Sequence, residues 1–134
     1  MINTNIYNYI NVLDKAADAA NTRNEVISNN IANVDTPNYK RKDVSFQDYL
    51  KMALIGDESL DDRVADINTH LSDFNGYTYT DSSTLSYRLD GNNVDIDTEN
   101  SYMAQNQIKY YTVLDSISQE FSRLRSVCKS GNGS

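Results

Sequence analysis

Two stretches of the chain repeat apolar side chains at alternating steps of four and three, one at each end. From Ile6 the steps land on Ile10, Leu13, Ala17, Ala20, Asn24, Ile27 and Ile31, and seven of these eight positions are apolar. This is a heptad seam, a period that a strand cannot meet. With Asn3 or Thr4 as its cap, the pattern predicts a helix of about 28 residues, roughly 40 Å long at 1.5 Å per residue. A second apolar row, Tyr9, Val12, Ala16, Ala19 and Val26, runs beside the first and is interrupted by Arg23. Such a row belongs either to a broad face turned toward the chain's own core, or to a face whose alanines admit a helix of another subunit.

At the other end the same steps give Met103, Gln107, Tyr110, Leu114, Ile117, Phe121, Leu124 and Cys128. Seven of these eight are apolar when the cysteine is counted as a small hydrophobe. Asp97 reads as the cap of this helix. Arg123, Arg125 and Lys129 lie near its C-terminal end, where positive charge is favoured. Laid antiparallel, the seams pair Ile6 with Cys128, Ile10 with Leu124, Leu13 with Phe121 and Ala17 with Ile117. Ala20 then meets Leu114, Asn24 meets Tyr110, Ile27 meets Gln107, and Ile31 meets Met103. Each large side chain buried contributes about 1.5–3 kcal/mol, against roughly 1–2 kcal/mol for every backbone residue ordered. A pair this rich in alanine is therefore marginal alone, and the pattern predicts completion by self-assembly.

The stretch Val26–Tyr39 ends the first helix. Propensity falls at Asn29, Asn30 and Asn33, and Thr36 precedes the chain's single proline, which turns it away from helix. Pro37 and Asn38 suit the centre of a type I or type II turn, since asparagine tolerates positive φ. Ser45 reads as the cap of a short helix carrying Phe46, Tyr49, Leu50, Ala53 and Leu54, with Asp48 completing an approximate capping box and Gly56 as the stop.

From Asp57 to Asp90 no period persists. Ile67, Leu71 and Phe74 suit a turn or two of helix. Tyr77 and Tyr79, then Leu85, Tyr87 and Leu89, alternate as strands do. Asp90-Gly91-Asn92-Asn93 is a strong turn signal with Val94 and Ile96 alternating after it, so a small β-hairpin is expected there. Poor order is expected somewhere between residues 57 and 83. The expected fold is mainly α: long terminal helices paired as an antiparallel coiled coil, with a short helix and a small, partly irregular β-containing middle segment. Its parts are the N-terminal coiled-coil helix at 1–34, the turn and middle segment at 35–96, the C-terminal coiled-coil helix at 97–130, and a flexible tail at 131–134.

Composition narrows the chemistry. The hydrophobic fraction of 39% is too low for a large central core and favours an elongated or assembly-dependent shape. The net charge of −7 argues against nucleic acid and anionic membrane surfaces as partners. One cysteine and one histidine rule out an internal disulfide and a cysteine- or histidine-based metal cluster. No apolar run reaches the roughly 20 residues of a membrane helix, and the N-terminus carries no basic leader followed by an apolar segment. Asp95, Asp97 and Glu99 look like the opening of a calcium loop. The sixth position, however, is Asn100 rather than glycine and the twelfth is Asn106 rather than glutamate. The simpler role of these acids is to favour a helix N-terminus. His70, Ser72 and Asp73 are adjacent in sequence only, which does not make a catalytic triad. No nucleophile–base pair, phosphate loop or cofactor motif is present, so neither an enzyme, a cofactor nor a small-molecule substrate is expected. Lys40, Arg41 and Lys42 form the one basic cluster, either a solvated turn or a contact for an acidic surface of a neighbouring subunit.

The run Ser28-Asn29-Asn30-Ile31-Ala32-Asn33-Val34-Asp35-Thr36-Pro37-Asn38-Tyr39 resembles the signature of the bacterial flagellar basal-body rod and hook proteins. Asp43-Val44-Ser45-Phe46, Asp90-Gly91-Asn92-Asn93-Val94-Asp95 and the last helix resemble the proximal-rod members of that family. The likeness covers both termini and the turn after the first helix. It carries little into the middle, and Asn38 stands where the family often has glycine. The resemblance implies a structural subunit of the basal-body rod that leaves the cytoplasm through the flagellar export apparatus without a cleaved signal. It implies that the terminal helices pair into the inner wall of a tube, transmitting torque and lining the export channel. The implied partners are copies of the chain, other rod proteins, the adaptor at the membrane ring and the export apparatus. Asn29, Asn30, Ala32, Asn33, Thr36, Pro37 and Tyr39 would anchor the bend from inner helix to outer segment. Another short rod protein, or a cytoplasmic coiled-coil adaptor or export chaperone, also fits the matched heptads. The asparagine-and-proline punctuation has no reason to exist in the adaptor or chaperone.

Overall fold

The computed structural model describes residues 4–73, 76–81 and 88–131, with the side chains of residues 4–6 and 49 left out. Its elements are α1 (Thr4–Ala32), β1 (Lys42–Val44), α2 (Phe46–Leu54), α3 (Leu60–Thr69), β2 (Thr78–Thr80) and α4 (Ile96–Ser130). The fold is mainly α, and α1 and α4 make its most extensive contact. They run antiparallel: Asn24 meets Asn106 and, farther toward the C-terminal end of α1, Asn30 meets Glu99. Toward the other end of the pair, Tyr9 feels the charge of Glu120.

These contacts correct the expected register by about one helical turn. Asn24 faces Asn106, not Tyr110. The apolar steps alone do not distinguish Gln107 from Asn106, and it is Asn106 that is buried while Gln107 is exposed. Polar pairs set the register, because a buried amide must find a partner and an apolar contact one turn away is nearly as good.

The second apolar row of α1 is covered by the chain itself. Ala19 and Val26 pack with Val44 and Phe46, with Ala16 and Leu50 at the edge. Val12 packs with Val64 and Ile67, flanked by Tyr9, Ala53, Leu54 and Leu71. Tyr9 donates to Asp61 at 2.9 Å, and Asn11 donates to Asn68 at 2.9 Å, which fixes α3 along the N-terminal half of α1. The small core thus lies on the side of α1 that carries α2, α3 and the sheet.

Four local expectations change. α3 is a 10-residue helix within the stretch expected to be poorly ordered. Its signal is short, Val64 and Ile67 one turn apart, and is masked in sequence by acids, though Ser59 accepts from the Asp62 amide as a regular cap. The sheet is not a hairpin about Asp90–Asn93. It pairs β1 with β2 antiparallel, Lys42 opposite Thr80 and Val44 opposite Thr78. Val94 and Ile96 form no strand, since residues 92–95 have no regular structure and Ile96 opens α4. The cap of α4 is Asp95, which accepts from the Asp97 amide, so Asp97 lies inside the first turn. Ser45 precedes α2 without a side-chain capping bond. The expectations at Asn3, Phe74, Leu85 and Tyr87 and most of the tail lie outside the described residues, as do the side chains of Ile6 and Tyr49.

Candidate functional site

Two loops meet at the C-terminal end of α1. The first is the turn at residues 33–39. Tyr39 N–H donates to the Thr36 carbonyl at 3.3 Å, and Asn38 takes a φ of 60°. Positive φ at the third position is the geometry of a type II turn. The second is the loop at residues 88–95. Asn38 N–H donates to the Asp90 carbonyl at 2.9 Å. Gly91 lies so close that a Cβ there would stand 2.7 Å from Asn38 Oδ1, and its own φ is 77°. Only glycine meets both demands at low cost.

Asn92 seals the junction. Its Nδ2 lies within 3.0 Å of the carbonyl oxygens of Asn33, Val34 and Thr36, which follow the end of α1. Its Oδ1 accepts from Val94 N–H at 2.7 Å. Asn93 Oδ1 accepts from Arg41 N–H at 2.7 Å, and Lys40 Nζ donates to the Gly91 carbonyl at 2.8 Å. Arg88 Nη1 donates to the Val34 carbonyl at 3.1 Å.

Beneath these loops lies a buried polar network. Asn30 is 0% exposed. Its Oδ1 accepts from Lys42 N–H at 2.9 Å and from the Tyr39 hydroxyl at 3.2 Å. Its Nδ2 donates to the Lys42 carbonyl at 2.8 Å and to Glu99 Oε2 at 3.0 Å. One side chain of α1 therefore ties down the turn, β1 and α4 together. Glu99, 1% exposed, also accepts from Arg41 Nε at 2.8 Å. Arg41 reaches Asp81 and Asp43, each at 3.2 Å. Asp43 accepts from Arg23 at 2.7 Å and 3.1 Å. The Tyr102 ring lies against both guanidiniums, 5.7 Å from Arg23 and 5.4 Å from Arg41.

The charged forms of Arg41 and Asp43 are favoured by their partners. Burial works against the Arg41 charge, but the hydrogen bond and charge of Glu99 and the bonds to Asp43 and Asp81 outweigh it and raise its pKa. Burial alone would raise the Asp43 carboxyl. The bonds from Arg23, the Val44 amide and Arg41 outweigh that and hold it below its ordinary value. Tyr39 is raised by burial and by the charge of Glu99. The partners of Asn30, Arg23, Arg41 and Glu99 named here all belong to this same chain, which suits a joint. Among the described residues no group of three His, Cys, Asp or Glu side chains is placed to hold a metal ion. Asp95 caps α4 while Glu99 turns inward to Arg41.

The motif residues divide between inside and outside. Asn30 is buried, Asn33 and Tyr39 are half-buried, and Asn29, Ala32, Thr36 and Pro37 are exposed. Asn33 Nδ2 donates to the Asn29 carbonyl at 2.7 Å, and Thr36 Oγ1 donates to Asn33 Oδ1 at 3.1 Å. Of the seam positions on α1, Ala17, Ala20 and Ile27 are buried, and Ile10, Leu13 and Ile31 are half-buried. On α4, Met103, Tyr110, Ile117 and Leu124 are half-buried, whereas Leu114 and Phe121 stand 37% and 52% exposed.

Sequence reasoning did not assign Arg23, Arg41, Asp43, Asn92, Asn93 or Glu99 to this joint, nor Asn106 to the contact between α1 and α4. Signals for some of them were there. Arg23 breaks an apolar row, and Glu99 precedes Met103 by one seam step. A charge on a buried face asks for a partner. Arg41 is the correction within the basic cluster: its acids belong to its own chain, and it is 13% exposed.

The chain resembles known proteins along most of its length. The model of a family described as flagella basal body rod protein matches residues 10–40, which take in most of α1 and the turn. The flagellar basal body rod protein FlgB of Bacillus subtilis is 39% identical over 119 residues, 89% of this chain and 92% of that protein. FlgB of Borreliella burgdorferi is 35% identical over 84% of this chain and 89% of its own length. FlgB of Escherichia coli is 33% identical over 82% and 85%. The chain therefore belongs to the flagellar basal-body rod proteins, in their FlgB group, as a structural subunit of the basal body and not an enzyme.

Proposed function

We propose that this rod subunit assembles with copies of itself and with neighbouring rod proteins through the outer faces of the α1–α4 pair. The joint at Asn30 fixes the angle at which the outer segment leaves that pair. The observation carrying this reading is the single buried amide of Asn30, which bonds the turn, β1 and α4 at once. A polymer repeats any freedom at that angle in every copy, so a stiff joint is what torque transmission requires. The exposed motif residues Asn29, Ala32, Thr36 and Pro37 then face neighbours, while Asn30, Asn33 and Tyr39 hold the bend. The seam residues that are buried or half-buried, Ile10, Leu13, Ala17, Ala20, Ile27 and Ile31 on α1 and Met103, Tyr110, Ile117 and Leu124 on α4, hold the pair that lines the export channel. The subunit leaves the cytoplasm through the flagellar export apparatus without a cleaved signal, and meets that apparatus and the adaptor at the membrane ring. The resemblance of both termini to rod proteins supports these last points.

Fractionation tests the reading. The chain should be recovered in detergent-stable basal bodies of flagellated cells. A purely cytosolic pool would overturn it in favour of an adaptor or chaperone.

A further inference from the structure

Two apolar surfaces flank α4, a groove that the chain fills only in part, with Lys109 Nζ donating to Gln47 Oε1 at 2.9 Å across the gap between α4 and α2, and a ridge that stands in solvent. The first is a groove of about 310 Å³ between α1, α2 and α4, walled by Ala16, Ala19, Ala20, Leu50, Thr112 and Val113. The second is a ridge of exposed large side chains, Tyr111, Leu114 and Phe121. At 3.6 residues per turn, positions 111, 114, 118, 121 and 125 share one flank of α4, and 105, 109 and 112 share the opposite flank. The groove and the ridge therefore lie on opposite sides of the same molecule.

We propose that the ridge of one copy seats in the groove of the next. This deepens the assembly reading above and rests on it. Three observations select a second copy as the occupant. The groove is walled by three alanines on α1, which leave room for large side chains, and the ridge supplies three. The charges agree as well. Lys109 lines the groove, and Lys51 lies one turn beyond Gln47, which also lines it. Exposed Asp115 borders the ridge beside Tyr111 and Leu114, so the match is made at that end, while Arg125 lies at the far end, one turn past Phe121. Finally, the two surfaces differ and face apart, so their contact is heterologous. It can repeat from copy to copy, as a rod needs, where a two-fold contact would stop at a dimer.

Photo-crosslinking in assembled basal bodies tests the pairing. The full chain carries a benzophenone amino acid in place of Phe121, and adducts are mapped by mass spectrometry of purified basal bodies. The expected adduct joins residue 121 to the 16–20, 46–50 or 112–113 segment of a second copy. In Thr112→Trp, a new ring at an exposed helix position fills the groove while the fold is retained, and the yield of that adduct should fall about tenfold or more, the ratio expected for about 1.4 kcal/mol of lost contact. Adducts confined to other segments of a second copy, to a different rod protein, or absent from labelled basal bodies overturn the pairing and leave the assembly reading standing. An undiminished yield in Thr112→Trp overturns it too. Absence of the unlabelled chain from basal bodies overturns the assembly reading itself.

Discussion

The side-chain amide of Asn30 pairs with the backbone of Lys42 as a neighbouring strand would. It accepts from the Lys42 N–H at 2.9 Å and donates to the Lys42 carbonyl at 2.8 Å. An asparagine is one of the few side chains able to offer a donor and an acceptor in that geometry. It lets β1 begin directly against α1 on the edge that β2 does not pair. The same amide then reaches Glu99 and Tyr39, so the start of the sheet and the start of α4 are set by one residue.

Asn30→Ala should therefore cost far more than a surface asparagine. It removes four hydrogen bonds and leaves the Lys42 amide, the Lys42 carbonyl and the Glu99 carboxylate short of partners in a buried place. The expected loss is about 2–4 kcal/mol in urea unfolding of the whole chain. Asn30→Asp should do at least as badly, since it sets a carboxylate against Glu99. A loss no larger than that of Asn29→Ala would mean that the joint is not held there.

Arg41→Met should lower stability by about 3–5 kcal/mol by stranding Glu99, which is nearly inaccessible. The double change Arg41→Met with Glu99→Gln removes the stranded charge and should recover part of that loss. A double-mutant cycle measures the coupling directly. Strictly additive losses would show that the pair contributes nothing as a pair.

Asp43 gives the acid response. Its folded-state pKa lies below the ordinary value of 3.8. The unfolded chain therefore binds more protons between those two values, and stability falls as pH drops through that window. The contribution is fully present above the unfolded value and lost below the folded one. Asp43→Asn should be less stable at neutral pH and lose less on acidification through the window, read from urea midpoints at several pH values. An identical acid slope in both proteins would assign the response elsewhere.

Long repeats made the fold legible, and short polar contacts hid the rest. The steps from Ile6 and from Met103 announce two helices, because a heptad over eight positions outweighs any local preference. α1 spans Thr4–Ala32 and α4 spans Ile96–Ser130, close to the expected bounds. The positive φ at Asn38 follows from what asparagine tolerates after proline. The register was not legible. One turn of slip costs an apolar seam little, and the decisive contacts, Asn24 with Asn106 and Asn30 with Glu99, involve side chains that read locally as helix breakers or caps. The joint was hidden for a similar reason. Asn92, three residues from the start of the last helix's cap, looks like turn chemistry. Its partners lie more than fifty residues earlier in the chain.

The register itself is open to a direct check. With Cys128 replaced by serine, cysteines at Leu13 and Ile117 should oxidise readily to a disulfide within one chain. Cysteines at Ile10 and Leu124, the pair that apolar matching alone selects, should cross-link poorly. The reverse result would restore the apolar register and remove the place of the Asn24–Asn106 contact.

Leu114 and Ile117 lie one turn apart on α4 but meet different surroundings. Ile117 is half-buried on the flank that faces α1, and Leu114 is 37% exposed on the ridge. Ile117→Asp puts a carboxylate into the pair and should cost about 2–4 kcal/mol, seen in the thermal midpoint of the isolated chain. Leu114→Asp should change that midpoint little, within about 1 kcal/mol, because its side chain already meets water. Both should abolish swimming, the first by loosening the subunit and the second by spoiling the face it offers to its neighbour. Basal bodies should then lack the Leu114→Asp chain although it folds. Normal swimming in both variants would refute the paired-helix account, and a stability loss in Leu114→Asp as large as in Ile117→Asp would place Leu114 inside the pair instead.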